Sequence, residues 1–520
     1  MKRNIFSFLK VFAGITLLLL STMVLAVLWP MPQLKPPPRH HSIFIKAINI
    51  IDVTSGHLLR NRDIIVRDNV ITHIDTAGVL MPDTTFILID GTNKFLMPGL
   101  WDMHTHSTQH SEWVHHPLFI ANGITGIRDM SGQLNRRDSY FAGSRERLIW
   151  NDELGKNKRV TPRYVLQSSF QIDGAFSVPE GFPEFFKLQK SEDVDSLLRF
   201  YKNENVDFIK VYDQIPLNGY EMLATQAPKY GMHVAGHKPR SVSLEDAVSL
   251  GQKSFEHGRI FLTECFPQAD SLRTAKNWRA FFSKAKASMV NDFNLELAKK
   301  LMHQMKAHHA HWTPTLQTLK FEAFAHEPAF LQNPNLKYIP YLSKKLWWDS
   351  DVRNNAKRNL SRDGKNISAA FYYAAMGQIK VANEVGVPIM TGTDVSDSYI
   401  FPGFSIHTEL EDLTKSGLSN LEALQSATIV PVKFVGAEKD YGTIEIGKIA
   451  DLIILDKNPL DDITYSKTIY GVILNGIYYD SDKLNELKEF TESVSLSFHM
   501  NVKILYSLVR SPLMRVQFAD

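Results

Sequence analysis

The order of apolar and polar positions divides the chain into segments of different character. From Ile43 to about Phe95, short apolar runs rich in β-branched residues are separated by Gly, Asp and Asn, as is typical of short strands. Similar runs return late in the chain, in YGTIEIGKIADLIILDKNPL and TIYGVILNGIYYD. Between these flanks, apolar runs alternate with longer helical patterns, which indicates a parallel α/β architecture. We therefore expect an α/β domain over residues 97–435 and a discontinuous β-domain built from 41–96 and 436–480.

The central domain contains eight apolar runs that predict eight strands. They are LWDMHTH, TGIRDM, YVLQSS, FIKVYD, HVAGH, SFEHG, HWTPTL and IMTGTD. Eight parallel strands alternating with helices is the count of a closed (β/α)8 barrel, the TIM barrel, so we expect that fold. After the last strand, Ser419 and Glu422 have the spacing of a capping box that opens a helix.

Two other segments are open to two interpretations each. Residues 317–384 are longer than a barrel loop needs and rich in aromatic residues, and they fit either a lid over the barrel mouth or extra helices on its wall. Residues 481–520 form a C-terminal extension. Its segment NVKILYSLVRSPLMRV is apolar with scattered basic residues, which fits either a membrane surface or packing on the domain.

The N-terminus has the pattern of a targeting segment. Lys2, Arg3 and Lys10 precede an apolar run over residues 11–29, which matches the about 20 residues of a membrane-spanning helix. The run is either a signal anchor or a cleavable signal peptide, and a Pro-rich linker completes residues 1–40. Basic residues on its N-terminal side favour an N-in orientation. We therefore predict an exported protein, membrane-anchored or periplasmic, with the catalytic domain outside the cytoplasm.

Composition narrows the classes of function. With 44% hydrophobic residues and a net charge of +3 over 520 residues, the chain is an ordinary globular protein with no basic stripe for nucleic acid. Cys265 is the only cysteine, so an intrachain disulfide and a multi-thiolate metal site are excluded. Any metal must therefore be held by histidine, carboxylate or a modified side chain.

The first candidate ligands are His104 and His106, which close the run FLMPGLWDMHTH. Residues i and i+2 of a strand point to the same face, so both imidazoles project to one side. Two neutral imidazoles on one face of a strand end form half of a metal site.

Four further polar residues fall inside or at the ends of later strands: Lys210, His237, His257 and Asp394. Catalytic groups of a barrel gather at the C-terminal ends of different strands, so we expect these side chains to converge with the first pair. Lys210 as an unpaired ammonium would be costly to bury in an apolar strand. Either a salt bridge to an aspartate or reaction with CO2, which yields an anionic carbamate, would explain it. Asp394 has a second interpretation as a helix cap.

Over residues 43–480 the chain resembles the amidohydrolase superfamily, in its imidazolonepropionase-like and prolidase-like branch. The motifs that carry the resemblance are MPGLWDMHTH, TGIRDMSG, FIKVYD, HVAGHKPRSVSLEDAVSLGQKSFEHG, HWTPTL, MTGTD, PGFSIHTELE and GTIEIGKIADLIILDKNPLDDI. The resemblance implies a barrel with a flanking β-sandwich and a mononuclear or binuclear metal centre. It implies a more buried metal on His104, His106 and Asp394, and a more exposed one on His237 and His257. Carbamylated Lys210 would bridge the two.

The resemblance also implies a chemistry. A donor set without sulfur suits two Zn²⁺ ions, and Mn²⁺, Fe²⁺ or Co²⁺ fit as well. We expect a hydrolase that cleaves the C–N bond of an amide, cyclic amide or dipeptide-like small molecule with a metal-activated hydroxide, Asp394 acting as general base and then acid. Tyr212 and His407 are candidate substrate contacts, with structural hydrogen bonding as the alternative.

Other functions stay open at this stage. The same centre would suit hydrolysis of a lactone or phosphotriester, because it polarises C=O and P=O alike. A non-catalytic scaffold would show substituted ligand positions, and this sequence shows none. A homo-oligomer is compatible with the sequence, which does not identify the substrate.

Overall fold

The structure is a computed structural model that describes residues 2–83, 85–359 and 366–519. Its strands are β1 (Ser42–Ile51), β2 (Leu58–Arg67), β3 (Val70–Thr76), β4 (Ile87–Asp90), β5 (Phe95–Pro98), β6 (Leu100–Thr105), β7 (Ile124–Asp129), β8 (Arg163–Gln167), β9 (Phe208–Val211), β10 (His233–Gly236), β11 (Ser254–Glu256), β12 (His311–Thr313), β13 (Leu452–Leu455), β14 (Ile469–Leu474) and β15 (Ile477–Tyr479).

The α-helices are α1 (Lys2–Leu28), α2 (Ser111–Val114), α3 (His116–Ala121), α4 (Ser144–Gly155), α5 (Ser191–Asn203), α6 (Leu217–Gln226), α7 (Leu244–Ser249), α8 (Ile260–Glu264), α9 (Ala269–Arg273), α10 (Trp278–Asn291), α11 (Leu295–Ala307), α12 (Leu316–Phe324), α13 (Pro328–Leu331), α14 (Tyr341–Ser343), α15 (Asp349–Asn359), α16 (Ile367–Val385), α17 (Phe404–Lys415), α18 (Asn420–Ser426), α19 (Ile429–Val435), α20 (Ser481–Leu496), α21 (Phe498–Arg510) and α22 (Pro512–Ala519). Short 3-10 or π turns lie at Glu184–Lys187, Ala227–Tyr230, Pro334–Tyr338, Lys344–Trp348 and Ile463–Lys467.

One eight-stranded sheet combines the two β-rich flanks of the sequence, in the order β15-β14-β13-β5-β1-β2-β3 with β4 paired to β1. Strand β5 runs parallel to β1 on one side and antiparallel to β13 on the other, with Met97 opposite Ile453. The alternate apolar residues of these strands form a separate buried cluster, with Ile45 and Ile454 among its members. The flanks therefore share one sheet, while the boundaries of the domains stay a prediction.

A second, curled set of parallel strands positions the site. It consists of the sheets β6-β7-β8 and β9-β10-β11-β12. Isolated parallel bridges from Ser168 to Phe208 and from Ile172 to Val211 join the two sheets. Helices such as α5, α7, α11 and α16 cover the outside of these strands with buried apolar residues. This arrangement is a mixed α/β fold.

The eighth predicted strand, IMTGTD, is not a regular strand. Residues 389–395 make only isolated bridges, Ile389 to Trp312 and Val395 to Thr105. Not all of its backbone hydrogen bonds go to neighbouring strands, since the Thr391 N–H donates to the Ser426 carbonyl. The segment then ends at Asp394, whose φ of 68° is incompatible with extended backbone. It nevertheless lies between β12 and β6, as predicted.

The long segment 317–384 was expected to form either a lid or extra helices on the wall, and the structure has features of both. Residues 360–365 of this segment lie outside the described residues. Helix α16 packs on the outside of the curled sheet through buried residues such as Phe371 and Ile379. Trp347 and Asp351, by contrast, line the main cavity. The capping box that opens α18 is confirmed, since the Ser419 hydroxyl accepts from the Glu422 N–H.

Both ends of the chain are helical. In the C-terminal extension, the Ser495 hydroxyl donates to the Tyr338 carbonyl at 2.7 Å and the Ser511 hydroxyl to Asp138 Oδ2 at 2.9 Å, so the extension packs on the domain. At the other end, Leu9–Leu28 is the one helical stretch among the described residues that is long and apolar enough to cross a membrane, with a mean hydropathy of 2.5. A signal sequence would pass the same test.

Candidate metal centre

The six side chains predicted as ligands line a single cavity of about 670 Å³ at one end of the curled sheet: His104, His106, Lys210, His237, His257 and Asp394. His104 lies in β6 and Lys210 in β9, while the others directly follow β6, β10 and β11 or belong to the segment 389–395. The strands are parallel, so their carboxyl ends meet at one edge. Residues up to 290 positions apart are thereby brought together.

Asp394 lies at the centre of the group. Its Oδ1 is 3.3 Å from His104 Nε2 and 3.1 Å from His106 Nε2, and its Oδ2 is 3.5 Å from His257 Nδ1. Burial opposes the charge of this carboxylate, but the three imidazoles outweigh burial and hold the pKa of Asp394 well below its ordinary value. The side chain is therefore an anionic oxygen donor at neutral pH.

His237 and His257 form a second pair on the same cavity. Their Nε2 atoms lie 2.8 Å apart. His237 Nδ1 is 2.7 Å from Asp213 Oδ1, and His257 Nδ1 is 2.8 Å from the Thr315 hydroxyl. Each ring thus has one nitrogen fixed by a neighbour and one directed at the other ring.

Lys210 is almost completely buried, and its Nζ donates to the Met130 carbonyl at 3.0 Å. No carboxylate of the described residues forms an ion pair with it, so the salt-bridge explanation of this lysine is not met there. Burial lowers the pKa of Lys210 to about 8, even though Asp394 and Glu256 favour the charged form. The amine is therefore neutral far more often than an ordinary lysine.

Two carboxylates that the sequence analysis did not identify orient the histidines. Glu256 Oε2 is 2.9 Å from His104 Nδ1, and the guanidinium of Arg128 donates to both Glu256 oxygens at 2.9 Å. Burial opposes the charge of Glu256, yet Arg128 and His104 hold its pKa below the ordinary value. Asp213 acts in the same way on His237, and its pKa is likewise lowered, by His237 and Arg259, against the effect of burial. Carboxylate–histidine pairs of this kind fix the tautomer of a metal ligand.

A signal for both carboxylates was present in the sequence. Glu256 directly precedes His257 in a buried strand, and Asp213 follows Tyr212 just after the end of another. A charged residue in a buried strand needs a partner, so its presence there indicates a polar network. Which histidine each carboxylate contacts depends on pairing between strands.

The backbone at the site is held in an unusual conformation. Asp394 and His257 both have positive φ, 68° and 72°, which for residues with a side chain costs about 1–3 kcal/mol each. At Gly392, two residues before Asp394, a Cβ would lie 2.8 Å from the Cβ of His104 and 2.9 Å from its backbone nitrogen. The segment therefore approaches β6 closely because position 392 has no side chain.

The donor set fits a bound cation. His104 donates its Nδ1 hydrogen to the carboxylate of Glu256, which leaves the Nε2 lone pair facing Asp394 Oδ1 at 3.3 Å. These two atoms are held at that distance by a positive charge between them, which either a proton on Nε2 or a bound cation supplies. Donor atoms of His104, His257 and Asp394 all lie within 4.8 Å of one another, the spacing of ligands around one ion. Nitrogen and oxygen donors without sulfur suit Zn²⁺ and other first-row divalent metals.

The two predicted substrate contacts have different positions. Tyr212 lines the cavity, with its ring 4.0 Å from that of His237. His407 does not reach the cavity: it is buried in α17, where Nδ1 contacts Ser466 at 3.0 Å and Nε2 the carbonyl of Asn122 at 3.2 Å. Its prediction as a substrate contact is therefore wrong, because α17 directs this side chain into the packing behind the site. Its structural alternative is what the structure shows.

The rest of the cavity wall comes from segments far from the metal ligands. Charged groups of both signs line it, with Arg259 and Arg279 among the bases and Asp351 and Asp397 among the acids. Met514, from α22, completes the wall. The C-terminal extension thus contributes directly to the chamber around the site.

Comparisons with known proteins concern the family and the fold. The model of the amidohydrolase family matches residues 375–477, which include Asp394. Imidazolonepropionase of Thermoplasma acidophilum is 34% identical over 92 residues, 17% of this chain, so the match spans only 20% of that curated relative.

Solved structures match over far more of the chain. A bottromycin amidohydrolase has a TM-score of 0.68 at 22% identity, covering 91% of this chain and 93% of its own. A Xaa-Pro dipeptidase has a TM-score of 0.59 at 19% identity, with coverage of 85% and 100%. A prolidase from Bifidobacterium longum has a TM-score of 0.58 at 20% identity, with coverage of 87% and 100%. At these identities the likeness is one of fold. With the family match over residues 375–477, the chain is similar to amidohydrolases in sequence over that part and in fold over most of its length.

Proposed function

We propose that this protein is a metal-dependent hydrolase that cleaves the C–N bond of an amide, cyclic amide or dipeptide-like substrate. The observation that carries the proposal is the convergence of four imidazoles, a lysine and a carboxylate from separate strand ends in one cavity. The similar proteins carry names of enzymes that cleave bonds of this class: amidohydrolase, prolidase, Xaa-Pro dipeptidase and imidazolonepropionase.

The scaffold in this proposal is a closed (β/α)8 barrel. Seven parallel strands and the segment 389–395 are linked in sequence order, and the bridge from Val395 to Thr105 returns the last to the first. That continuity supports closure, with the site at the C-terminal ends of the strands, where such barrels carry their chemistry.

Two groups of residues would hold the metal ions. In this proposal His104, His106 and Asp394 would hold one ion and His237 and His257 the other, with His257 also close to Asp394. The neutral amine of Lys210 would attack CO2, forming an N–C bond and releasing a proton, and the carbamate would supply an anionic oxygen donor for the metal ions. When bound, divalent cations lower the pKa of a water molecule and polarise the carbonyl of the substrate.

The chain's own residues would then move the proton. Asp394, held anionic by its three imidazole neighbours, accepts a proton from the attacking water and donates it to the nitrogen that leaves. Glu256 and Asp213 keep the rings of His104 and His237 in the orientation that presents Nε2 to the cavity. Tyr212 lies beside His237, where it can contact the bound substrate.

Metal analysis combined with hydrolysis assays tests the proposal. The purified protein should contain divalent metal and hydrolyse members of a panel of N-acyl amino acids, dipeptides, cyclic amides, lactones and phosphotriesters. Turnover of C–N substrates is the expected result. Metal-replete protein that hydrolyses only lactones or phosphotriesters would overturn the assignment to C–N bonds, and a metal-free, inactive protein would favour a scaffold.

Two variants separate the roles within the site. Lys210→Ala should lose metal and most activity, because it removes the proposed bridge. Asp394→Asn should keep most of the metal, held by the histidines, but lose turnover by several orders of magnitude, since an amide does not transfer the proton. Lys433→Ala, at an exposed position of α19, is the matched control. Full metal content and turnover in Lys210→Ala would rule out the bridge.

We further propose that the protein is exported and held to a membrane by α1. The support is the length and hydropathy of Leu9–Leu28, which has no buried residue in its apolar window, together with the basic residues before it. Sedimentation of the full chain with membranes after a carbonate wash tests this. Recovery of a shortened, soluble chain would instead identify the segment as a cleaved signal peptide.

A further inference from the structure

The C-terminal helix α21 exposes apolar side chains near both of its ends. Phe498 and Val509 expose 60% and 67% of their surface, and Leu496, just before the helix, exposes 58%. With the half-buried Leu505, the helical positions 498, 505 and 509 recur at intervals of seven and four, so they lie on one side of the helix, where Val502 between them is buried. The opposite stripe, with Met500, Ile504 and Ser507, is buried against the domain.

Helix α21 lies next to the end of the proposed membrane anchor. The ammonium of Lys503 donates to the Val27 carbonyl at 2.6 Å, and His499 Nε2 contacts the Trp29 carbonyl at 2.9 Å. Carbonyls at the C-terminal end of a helix have no partner within the helix, and a lysine is a favourable cap for them. Helix α21 is thereby fixed at the level where α1 ends.

The exposed surface of α1 continues at that level. Leu28 and Trp29 expose 75% and 68% of their surface. Tryptophan is enriched at the boundary between the hydrocarbon and the headgroups of a membrane. If Leu9–Leu28 spans the bilayer, Trp29 and the adjacent helix α21 both reach that boundary.

The charges of the segment suit an anionic surface. Residues 493–519 contain Lys503, Arg510 and Arg515 and no aspartate or glutamate. An apolar face flanked by basic residues is the pattern of a helix that lies in the plane of a membrane interface. Anionic headgroups would gain ion pairs with the basic residues while Phe498 and Val509 enter the acyl region.

We infer that α21 is a second membrane contact, which lies in the headgroup region of an anionic bilayer beside the end of α1. The helix then holds the domain against the membrane in one orientation, in place of a tether that swings on the Pro-rich linker. Because α22 follows it and Met514 lines the main cavity, this contact also fixes the wall of the chamber relative to the membrane. The inference rests on the proposed anchor and not on the proposed reaction.

A fluorescent label tests the inference in the full chain. Val509→Cys, labelled with an environment-sensitive nitrobenzoxadiazole dye, is reconstituted into vesicles of equal parts phosphatidylcholine and phosphatidylglycerol. The native Cys265 does not interfere, because it is buried and burial raises the pKa of its thiol to about 12. The expected result is a blue-shifted emission several-fold stronger than in detergent-free buffer, and loss of most of it when nitroxide-labelled lipids are included.

Two matched sites make the outcome unambiguous. Leu295→Cys places the dye on another exposed apolar position, at the start of α11, and should stay unquenched. Leu18→Cys places it in α1 and reports the anchor separately. If nitroxide-labelled lipids quench the dye at position 18 but not at position 509, the inference is overturned and the proposal that α1 is an anchor stands. Quenching at neither would overturn both. A blue shift at 509 that grows with protein density but is not quenched by lipid would show that a second copy of this chain covers the face, which also overturns the inference.

Discussion

At the scale of single residues, the histidine rings of the site are oriented by carboxylates that lie behind them. His104 points its Nε2 to the cavity because Nδ1 is bound to Glu256, and Glu256 keeps its charge because Arg128 is bound to both of its oxygens. This chain of contacts is buried and polar throughout, so removal of one member takes away a charged partner of the next. The ligand geometry therefore depends on residues that do not touch the metal positions.

Glu256→Gln tests this dependence. The substitution keeps the size of the side chain but removes the charge that favours His104 Nδ1 as donor and that neutralises Arg128. We expect metal affinity to fall about tenfold to a hundredfold, as is typical when the carboxylate partner of a histidine ligand is removed. Competition with a chelating dye measures it. Glu322→Gln, a cavity carboxylate paired with Lys286, is the control; equal metal affinity in both variants would contradict the positioning role of Glu256.

At the scale of elements, the segment 389–395 is the least regular part of the curled sheet and the one that carries Asp394. It is held by hydrogen bonds on both sides: the Met390 N–H donates to the Trp312 carbonyl and the Asp394 N–H to the His104 carbonyl. Backbone contacts on two sides are what maintain a positive φ at Asp394. A regular strand at this place would direct the carboxylate differently.

Gly392→Ala should disturb that segment. A Cβ at this position would lie 2.5 Å from the Thr313 methyl and 2.9 Å from the backbone nitrogen of His104, so one of the two neighbouring strands must move. We expect a lower melting temperature and reduced metal occupancy in the same variant. Gly377→Ala, within α16, has no atom within 4 Å of the added methyl and is expected to leave stability unchanged or raise it by up to about 1 kcal/mol. Thermal unfolding and metal analysis of both variants give the comparison, and a Gly392→Ala protein that matches Gly377→Ala would refute the close approach.

At the scale of the whole molecule, the C-terminal extension and the region of α2 and α3 are packed together next to the chamber. The extension contacts this region directly, since the Ser507 hydroxyl is 3.1 Å from His110 Nε2. Three histidines of the region, His110, His115 and His116, are buried. Burial lowers the pKa of the first two to about 4 and about 3, and that of His116 well below its ordinary value.

These histidines predict a loss of stability in acid. The unfolded chain binds protons on them below about pH 6.5, whereas the folded protein keeps them neutral. Their contribution to the free energy of unfolding is therefore fully present above that pH and is lost as the pH decreases toward 4. Each histidine should lower the free energy of unfolding by about 1.4 kcal/mol for each pH unit of acidification between these pH values. Urea unfolding of the metal-free protein between pH 7 and pH 5 measures the slope.

His115→Asn isolates one contribution. The asparagine oxygen can take the place of Nδ1 beside the Ser111 hydroxyl, 2.9 Å away in the structure, without a group that titrates. The slope should become shallower by about 1.4 kcal/mol per pH unit. His57→Asn changes an exposed imidazole and serves as the control. A slope that His115→Asn leaves unchanged would show that this histidine does not govern the acid sensitivity.

The sequence by itself determined which residues would meet and on which strands they lie. His104, Lys210, His237 and His257 lie in or directly after apolar runs that became parallel strands, and parallel strands present their carboxyl ends on one side. The periodicity of the flanks also indicated the strands that combine in one sheet. These are local properties, carried by the spacing of residues along the chain.

Only the tertiary structure decided the partners of those residues. That Glu256 binds His104, that α17 turns His407 away from the cavity and that Met514 reaches it all depend on contacts between segments far apart in sequence. The same holds for residues 389–395, where close packing against β6 and β12 replaced a regular strand. The physical reason is that the side of a strand or helix on which a residue lies follows from local geometry, whereas the group it meets there depends on how distant elements pack.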